Sequence, residues 1–144
     1  MAVGASMLRV NHLILGTQDV AKSQDFYVGF LGFEFLCPFT DTGTGNEGRI
    51  LRQVDADGAC LELLLVPFRS ERLPSPQHVA FEVDAGRFEA LYRRAKELGF
   101  KVRALPALSS PEELPGTLEL TGYRYRNFYV LDPAQINVEV MVRL

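Results

Sequence analysis

The chain has 144 residues, of which 47% are hydrophobic and 23% are charged, and its formal net charge is −3. This composition fits one domain with its own hydrophobic core. The longest run of basic residues is the pair Arg93 and Arg94, which argues against nucleic acid as the main partner. No apolar run is long enough to cross a membrane, so we expect no membrane partner.

The first ten residues contain neither a basic leader nor a long apolar core, so we expect no signal peptide. The chain has two cysteines, Cys37 and Cys60. Without a secretory signal, two cysteines are expected to be free thiols in a reducing compartment. The expected location is therefore the cytoplasm.

The first half of the chain predicts a strand, a helix and three further strands. Residues 9–15 are rich in branched apolar side chains, as strands are. Residues 17–33 place apolar side chains at helical spacing, with Thr17 or Asp19 as the cap and Gly32 as the C-terminal stop. The strands that follow are predicted at residues 33–39, 49–55 and 59–66.

The second half begins after residues 67–76, which are rich in proline and charge and predict a linker. A strand is predicted at residues 77–83 and a helix at 84–100. The inward side chains of that helix are expected to be Phe88, Leu91, Tyr92, Ala95 and Leu98. Further strands are predicted at residues 101–105, 123–132 and 136–144, and residues 106–122 are predicted to form a long loop.

The two halves align as an internal repeat of one strand, one helix and three strands. NHLIL aligns with QHVAF, and LELLLV aligns with VEVMV, so His12 lies over His78 and Glu62 lies over Glu139. These are the only two histidines of the chain. The repeat predicts an α+β fold of two paired βαβββ modules, residues 8–68 and 76–143, within a single domain of residues 1–144.

The repeated histidine and glutamate residues are candidate metal ligands. Side chains two residues apart on a strand share one face, so each half can present its histidine and its glutamate to a common interior. Two imidazoles and two carboxylates suit a divalent transition metal that keeps room for water or substrate. A cation would also offset the free energy of burying Glu62 in the apolar stretch CLELLLVP. Glu62 is alternatively a base or a rim residue.

The segment YRYRNFY supplies candidate substrate-binding residues. Arg124 and Arg126 could hold an anionic substrate, or they could form an ordinary exposed edge. Tyr123 and Tyr125 could line a pocket, or they could simply pack.

Four segments resemble the vicinal oxygen chelate superfamily, which includes glyoxalase I, methylmalonyl-CoA epimerase, extradiol dioxygenases and fosfomycin-resistance proteins. They are VNHLILGTQDVAKSQDFYVGFLGF, CLELLLVP, PQHVAFEVD and FYVLDPAQINVEV, and the resemblance covers nearly the whole chain. It implies two βαβββ modules that form a curved, barrel-like mixed sheet around a metal. The glyoxalase I type takes one His and one Glu from each module, and these positions match His12, Glu62, His78 and Glu139.

The resemblance implies a metal-dependent lyase or isomerase that moves a proton alpha to a carbonyl in a small substrate, which could be conjugated to a thiol. Glu139 or Glu62 would carry the proton as the catalytic residue. The expected cofactor is one divalent metal ion per site: Zn, Ni, Fe, Mn or Co.

Other functions on this fold stay open, because the superfamily supports many reactions. The alternatives are an extradiol-type dioxygenase, an antibiotic-resistance transferase and a non-catalytic small-molecule-binding protein of the bleomycin-resistance type. The expected partners are a small-molecule substrate and a second copy of the chain in a homodimer, which the exposed sheet edges and the habit of the family suggest.

Overall fold

The computed structural model describes residues 10–41, 45–67, 78–104 and 115–144. The first module contains β1 (His12–Thr17), α1 (Val20–Gly29), β2 (Glu34–Thr40), β3 (Glu47–Val54) and β4 (Cys60–Pro67). The second module contains β5 (His78–Glu82), α2 (Ala85–Glu97), β6 (Gly116–Leu120), β7 (Tyr123–Leu131) and β8 (Asn137–Arg143).

Each module forms one four-stranded mixed sheet. The strand order is β1-β4-β3-β2 in the first sheet and β5-β8-β7-β6 in the second. The pairs β1·β4 and β5·β8 are parallel, and the other neighbours are antiparallel. This confirms the α+β fold of two βαβββ modules. Within the described residues, however, the two sheets are separate and do not close into the barrel-like sheet that was expected.

Capping aspartates mark the start of the two helices, and glycines with positive φ angles follow their ends. Asp19 caps α1 and Asp84 caps α2, because each side chain accepts a hydrogen bond from a backbone N–H of the first turn. Gly32 and Gly99 follow the two helices with φ angles of +76° and +75°, which glycine adopts without steric cost. The prediction for Leu98 was wrong: it lies just beyond α2 and is 41% exposed.

One hydrophobic core runs through both modules. The ring of Phe26 on α1 lies 5.4 Å from the ring of Phe100, and the rings of Phe33 and Phe81 are 6.0 Å apart. Each of these contacts joins the first half of the chain to the second. The largest fully buried side chains of the core are Tyr27, Phe88, Phe128, Leu51, Leu63, Leu65, Val130, Val138 and Val140.

Polar contacts also join the modules. The hydroxyl of Tyr27 on α1 donates to Asp132 Oδ2, after β7, at 2.8 Å. The carbonyl oxygen of Leu31 accepts from Gln53 Nε2 on β3 and from Arg87 Nη2 on α2, each at 2.9 Å. Nothing in the sequence pattern indicated these long-range bonds.

The segment between α2 and β7 differs from the prediction. Residues 101–104 form no extended strand, and only Arg103 pairs with β7, as an isolated bridge to Tyr129. Part of the predicted loop is the strand β6, which pairs with β7 across a turn where Thr121 and Gly122 have positive φ angles. Residues 106–114 of that loop and residues 68–76 of the predicted linker lie outside the described residues.

Two smaller expectations concern the thiols and the membrane. Cys37 and Cys60 are free thiols, as expected. In the part of the chain that the structure describes, neither helix has the length and hydropathy needed to span a bilayer.

Candidate metal centre

Each sheet packs one face against its helix and carries its histidine on the opposite face, here called the histidine face. In the first sheet the fully buried Leu51 and Leu63 belong to the core on the helix side. Their strand neighbours Arg52 and Glu62 therefore point to the histidine face. Arg52 and Glu62 are Cα partners, and so are Glu62 and His12, so the three residues form one row across β3, β4 and β1.

The second sheet shows the same division. Phe128 of β7 packs on Phe88 of α2, with ring centroids 5.3 Å apart. Because side chains alternate along a strand, Asn127 and Tyr129 lie on the histidine face. Tyr129 is the Cα partner of Glu139 on β8, which places Glu139 on the same face.

His78 and Glu139 form a close pair on this face. His78 Nε2 lies 2.8 Å from Glu139 Oε2, and Asn127 Nδ2 donates to the other oxygen, Oε1, at 2.8 Å. Glu139 is only 3% exposed, whereas the His78 side chain is 39% exposed. The carboxylate is therefore held from two sides, and the histidine is the member of the pair that reaches solvent.

Tyr129 completes this half of the site. Its ring centroid lies 5.4 Å from that of His78. Burial raises the pKa of the Tyr129 phenol to about 12, and the negative charge of Glu139 and a hydrogen bond to it act in the same direction. The phenol is therefore protonated at neutral pH and can donate a hydrogen bond.

The first half of the site is more exposed. His12 and Glu62 are Cα partners in the parallel pair β1·β4, so their side chains are neighbours on the histidine face. His12 is exposed, and its Nδ1 lies 2.8 Å from Asn11 Oδ1, which leaves Nε2 as the ring nitrogen for a further ligand. Glu62 is half-buried, so the carboxylate in CLELLLVP faces away from the core.

The structure thus places one His and one Glu together on each sheet, but it does not gather the four into one cluster. Across residues 10–41, 45–67, 78–104 and 115–144, no three His, Cys, Asp or Glu side chains lie close enough to hold a metal ion. The chemistry of the donors still fits a divalent metal. The buried Glu139 is paired with a neutral amide and a histidine, and a metal ion would compensate its charge. Each half offers two donors, so a four-donor site requires both halves.

The predicted substrate-binding residues occupy both sides of the second sheet. Tyr125 is buried and Tyr123 is 45% exposed, and both lie on the histidine face by alternation from Tyr129. Arg124 and Arg126 lie on the opposite face, where Arg126 is hydrogen-bonded to Glu89 of α2. The role of all four in substrate binding stays a prediction, and the two arginines are turned away from the His78–Glu139 pair.

Sequence reasoning missed Asn127, which holds Glu139 in place. Tyr125, Asn127 and Tyr129 alternate along β7 and therefore lie on one face, and Tyr129 is the strand partner of Glu139. This alternation was a signal that could have placed Asn127 on the face of Glu139.

Comparisons with known proteins agree with the fold and the paired modules. A family model described as the glyoxalase/bleomycin resistance protein/dioxygenase superfamily matches residues 9–109. The chain belongs to this superfamily. The resemblance seen in the sequence is thus confirmed at the level of the superfamily. A comparison with curated proteins found no match.

Solved structures share the fold over almost the whole chain. Oxidase ChaP-H2 has a TM-score of 0.70 at 24% identity, covering 96% of each chain. TnmS3, an antibiotic-binding protein from Streptomyces sp. CB03234, has a TM-score of 0.62 at 21% identity, covering 96% of this chain and 98% of its own. FosX, the fosfomycin resistance protein of Listeria monocytogenes in complex with Mn(II) and sulfate, has a TM-score of 0.59 at 18% identity, covering 95% and 93%.

Proposed function

We propose that the protein is a metal-dependent lyase or isomerase of the glyoxalase I type, which moves a proton alpha to a carbonyl in a small substrate. The observation that carries this proposal is the His78–Glu139 pair at 2.8 Å on the histidine face of one sheet, matched by the adjacent His12 and Glu62 on the other. Two His–Glu pairs in equivalent places of a repeat supply two nitrogen and two oxygen donors, which suit a divalent metal.

The ligand set requires two modules to meet, and we infer that a second copy of the chain supplies the other module. His12 and Glu62 of one protomer would then face His78 and Glu139 of its partner. The exposed Ile14, which shares the face of His12 and is 62% exposed, supports burial of this surface in a homodimer.

In this proposal Glu139 is the catalytic residue. Its carboxylate, held at Oε1 by Asn127 and at Oε2 by His78, takes a proton from a hydroxyl-bearing carbon next to the carbonyl and returns it to the former carbonyl carbon. The electron pair of the broken C–H bond stays on the substrate as an enediolate. The proton of the hydroxyl on that carbon moves to the former carbonyl oxygen, so the product is the isomeric hydroxycarbonyl compound. The protonated phenol of Tyr129 lies beside Glu139 and can donate to an anionic oxygen. A bound divalent metal supplies polarisation of the carbonyl oxygen.

The first test is the metal content of the purified protein by elemental mass spectrometry. Wild type is expected to hold about one divalent ion per chain, and Glu139→Gln and His78→Ala are expected to lose it. Glu89→Gln is the matched control, because Glu89 is exposed on α2 and lies on the other side of the sheet. Wild type without metal, even after incubation with Zn, Ni, Fe, Mn or Co, would contradict the proposal.

A second test asks whether the two halves of a site come from different chains. His12→Ala and His78→Ala are each expected to be metal-free and inactive. Co-expressed, they should form heterodimers in which one of the two sites is intact, so about a quarter of the metal content should return. If no metal returns in the mixture, both halves of each site come from one chain.

A non-catalytic small-molecule-binding protein is the second candidate. One observation favours it, since no group of three ligand side chains is assembled among the described residues. The likeness to the antibiotic-binding protein TnmS3 shows that this fold also serves binding. An extradiol-type dioxygenase would require a further acid–base histidine, and both histidines are already assigned to the metal. Metal content separates the binding protein from both enzymes, and oxygen consumption separates the dioxygenase from the lyase.

A further inference from the structure

Two arginines on the histidine faces carry buried nitrogens without partners. Among the described residues, the buried side-chain nitrogens that lack a hydrogen bond are Arg52 Nε and Arg103 Nε and Nη1. A buried charged donor without a partner costs free energy, so such groups are rare unless a ligand completes them. Arg52 lies beside Glu62, and Arg103 lies on the same face as Glu139, two strands away.

Arg52 is next to the first pair of candidate ligands. It is the Cα partner of Glu62 across β3 and β4, in the row that ends at His12. Despite this proximity, none of the ion pairs between described residues joins Arg52 to Glu62. The guanidinium therefore flanks the first half of the site without being neutralised by it.

Arg103 is in the row of the second pair. Its backbone N–H donates to the carbonyl of Tyr129 at 3.0 Å, and the N–H of Tyr129 donates back at 2.8 Å. Side chains of directly paired residues share a face, so Arg103 points to the side of Tyr129 and Glu139. Two strand spacings separate the backbones of Arg103 and Glu139, which is about 10 Å. A substrate in contact with Glu139 is thus within reach of the Arg103 side chain.

Three other arginines of the described part have partners of their own. Arg126 pairs with Glu89, Arg49 lies near Glu47, and Arg87 donates to a backbone carbonyl. The buried nitrogens of Arg52 and Arg103, by contrast, have no hydrogen-bond partner among the described residues.

We propose that the site takes a substrate bearing a carboxylate or a similar oxyanion, which Arg52 and Arg103 hold through their guanidinium groups. The planar guanidinium presents parallel N–H donors that match the two oxygens of a carboxylate, and the charge-assisted bonds offset its desolvation. The inference rests on the proposed function, because that function brings the two histidine faces together. Each half of the site then contributes one arginine, and both select substrates by charge.

The test is a calorimetric titration of the full chain with succinate, with its uncharged dimethyl ester as the control ligand. Succinate is expected to bind and the ester is not. Arg52→Gln and Arg103→Gln are each expected to weaken succinate binding about tenfold or more. Arg93→Gln removes the same charge from the exposed face of α2 and should bind succinate as wild type does. Arg52→Lys and Arg103→Lys keep the charge and should bind succinate with intermediate affinity. They replace the Gln variants in the test if a Gln variant fails to fold.

Metal content, measured on the same samples, separates this inference from the proposed function. Metal in all variants together with weaker succinate binding in the two Arg→Gln variants supports both. If all variants hold metal but the Arg→Gln variants bind succinate as tightly as wild type, the anion site alone is overturned. The same holds if wild type binds the ester as well as it binds succinate. Arginine-dependent succinate binding in a protein that holds no metal supports the anion site and overturns the metal-dependent function.

Discussion

The hydroxyl of Tyr27 donates a 2.8 Å hydrogen bond to Asp132 Oδ2, and the two residues come from opposite modules. Asp132 is 2% exposed, and its other oxygen accepts from the backbone N–H groups of Ala134 and Ile136. The bond therefore connects α1 of the first module to the turn between β7 and β8, the strands that carry Tyr129 and Glu139.

Removing this bond should lower stability. Tyr27→Phe leaves Asp132 Oδ2 buried without its donor, so the free energy of unfolding is expected to fall by about 1–3 kcal/mol. Urea denaturation measures the change. Tyr123→Phe is the control, because Tyr123 is exposed at the start of β7, and it should change stability by less than about 0.5 kcal/mol. Equal effects of the two substitutions would show that the Tyr27 hydroxyl has no special role.

The ionisation of Asp132 should make its contribution to stability depend on pH. Burial raises the pKa of Asp132 above its ordinary value, against the opposing effect of its hydrogen bonds. Because the pKa is higher in the folded state, the contribution is fully present below about pH 4 and is lost as the pH rises through the folded value.

The measurement is the difference in unfolding free energy between wild type and Asp132→Asn. As the pH is raised from about 3 to about 8, the unfolding free energy of wild type should fall relative to that of Asp132→Asn. The subtraction cancels the titration of the other carboxylates. A difference that is constant with pH, or that grows in favour of wild type, would contradict the raised pKa.

Gly48 should tolerate no side chain. A Cβ at this position would lie 2.5 Å from the ring of Phe39 and 2.6 Å from the carbonyl oxygen of Leu65, so β3 could not keep its place beside β4. Gly48→Ala is expected to destabilise the protein by about 1–3 kcal/mol. Gly86→Ala is the matched control in the first turn of α2, where the nearest atom is 3.5 Å away, and it should stabilise by about 0.5–1 kcal/mol. Thermal unfolding of both variants checks the opposite signs.

Asn127 should act on the metal through Glu139. Asn127→Ala removes the donor that fixes Glu139 Oε1, so the metal dissociation constant is expected to rise about 10- to 100-fold. The measurement is a competition titration with a chelator. Unfolding of the metal-free variant is measured in parallel, since a merely structural role would lower stability and leave metal affinity unchanged.

Much of the fold was predictable because both halves of the internal repeat carry the same local signals. Capping aspartates, stop glycines and apolar spacing occur in both halves, and each is a property of a few neighbouring residues. The strand β6 was missed because Leu118 and Leu120 alternate over only five residues after a proline-rich stretch, and their pairing with β7 sets the conformation.

The candidate site was less predictable. Alternation indicated which side chains share a strand face, and the structure places each histidine beside the glutamate of its own half. Whether the two halves meet depends on how sheets and chains pack, and that information is not local. The positions of Asn127 and Arg103 on the histidine face are also not local information, because they depend on strand pairing between distant segments.

The carbonyl oxygen of Leu31 accepts hydrogen bonds from Gln53 of its own module and from Arg87 of the other, and this has a consequence for how the chain unfolds. The end of the first helix is thus hydrogen-bonded by a residue of the second half as well as by one of its own half. We therefore expect the two halves to form one cooperative unit and the full chain to unfold in a single transition. Either half expressed alone would lack hydrogen bonds and core contacts that the other half supplies, so we expect neither half to fold by itself.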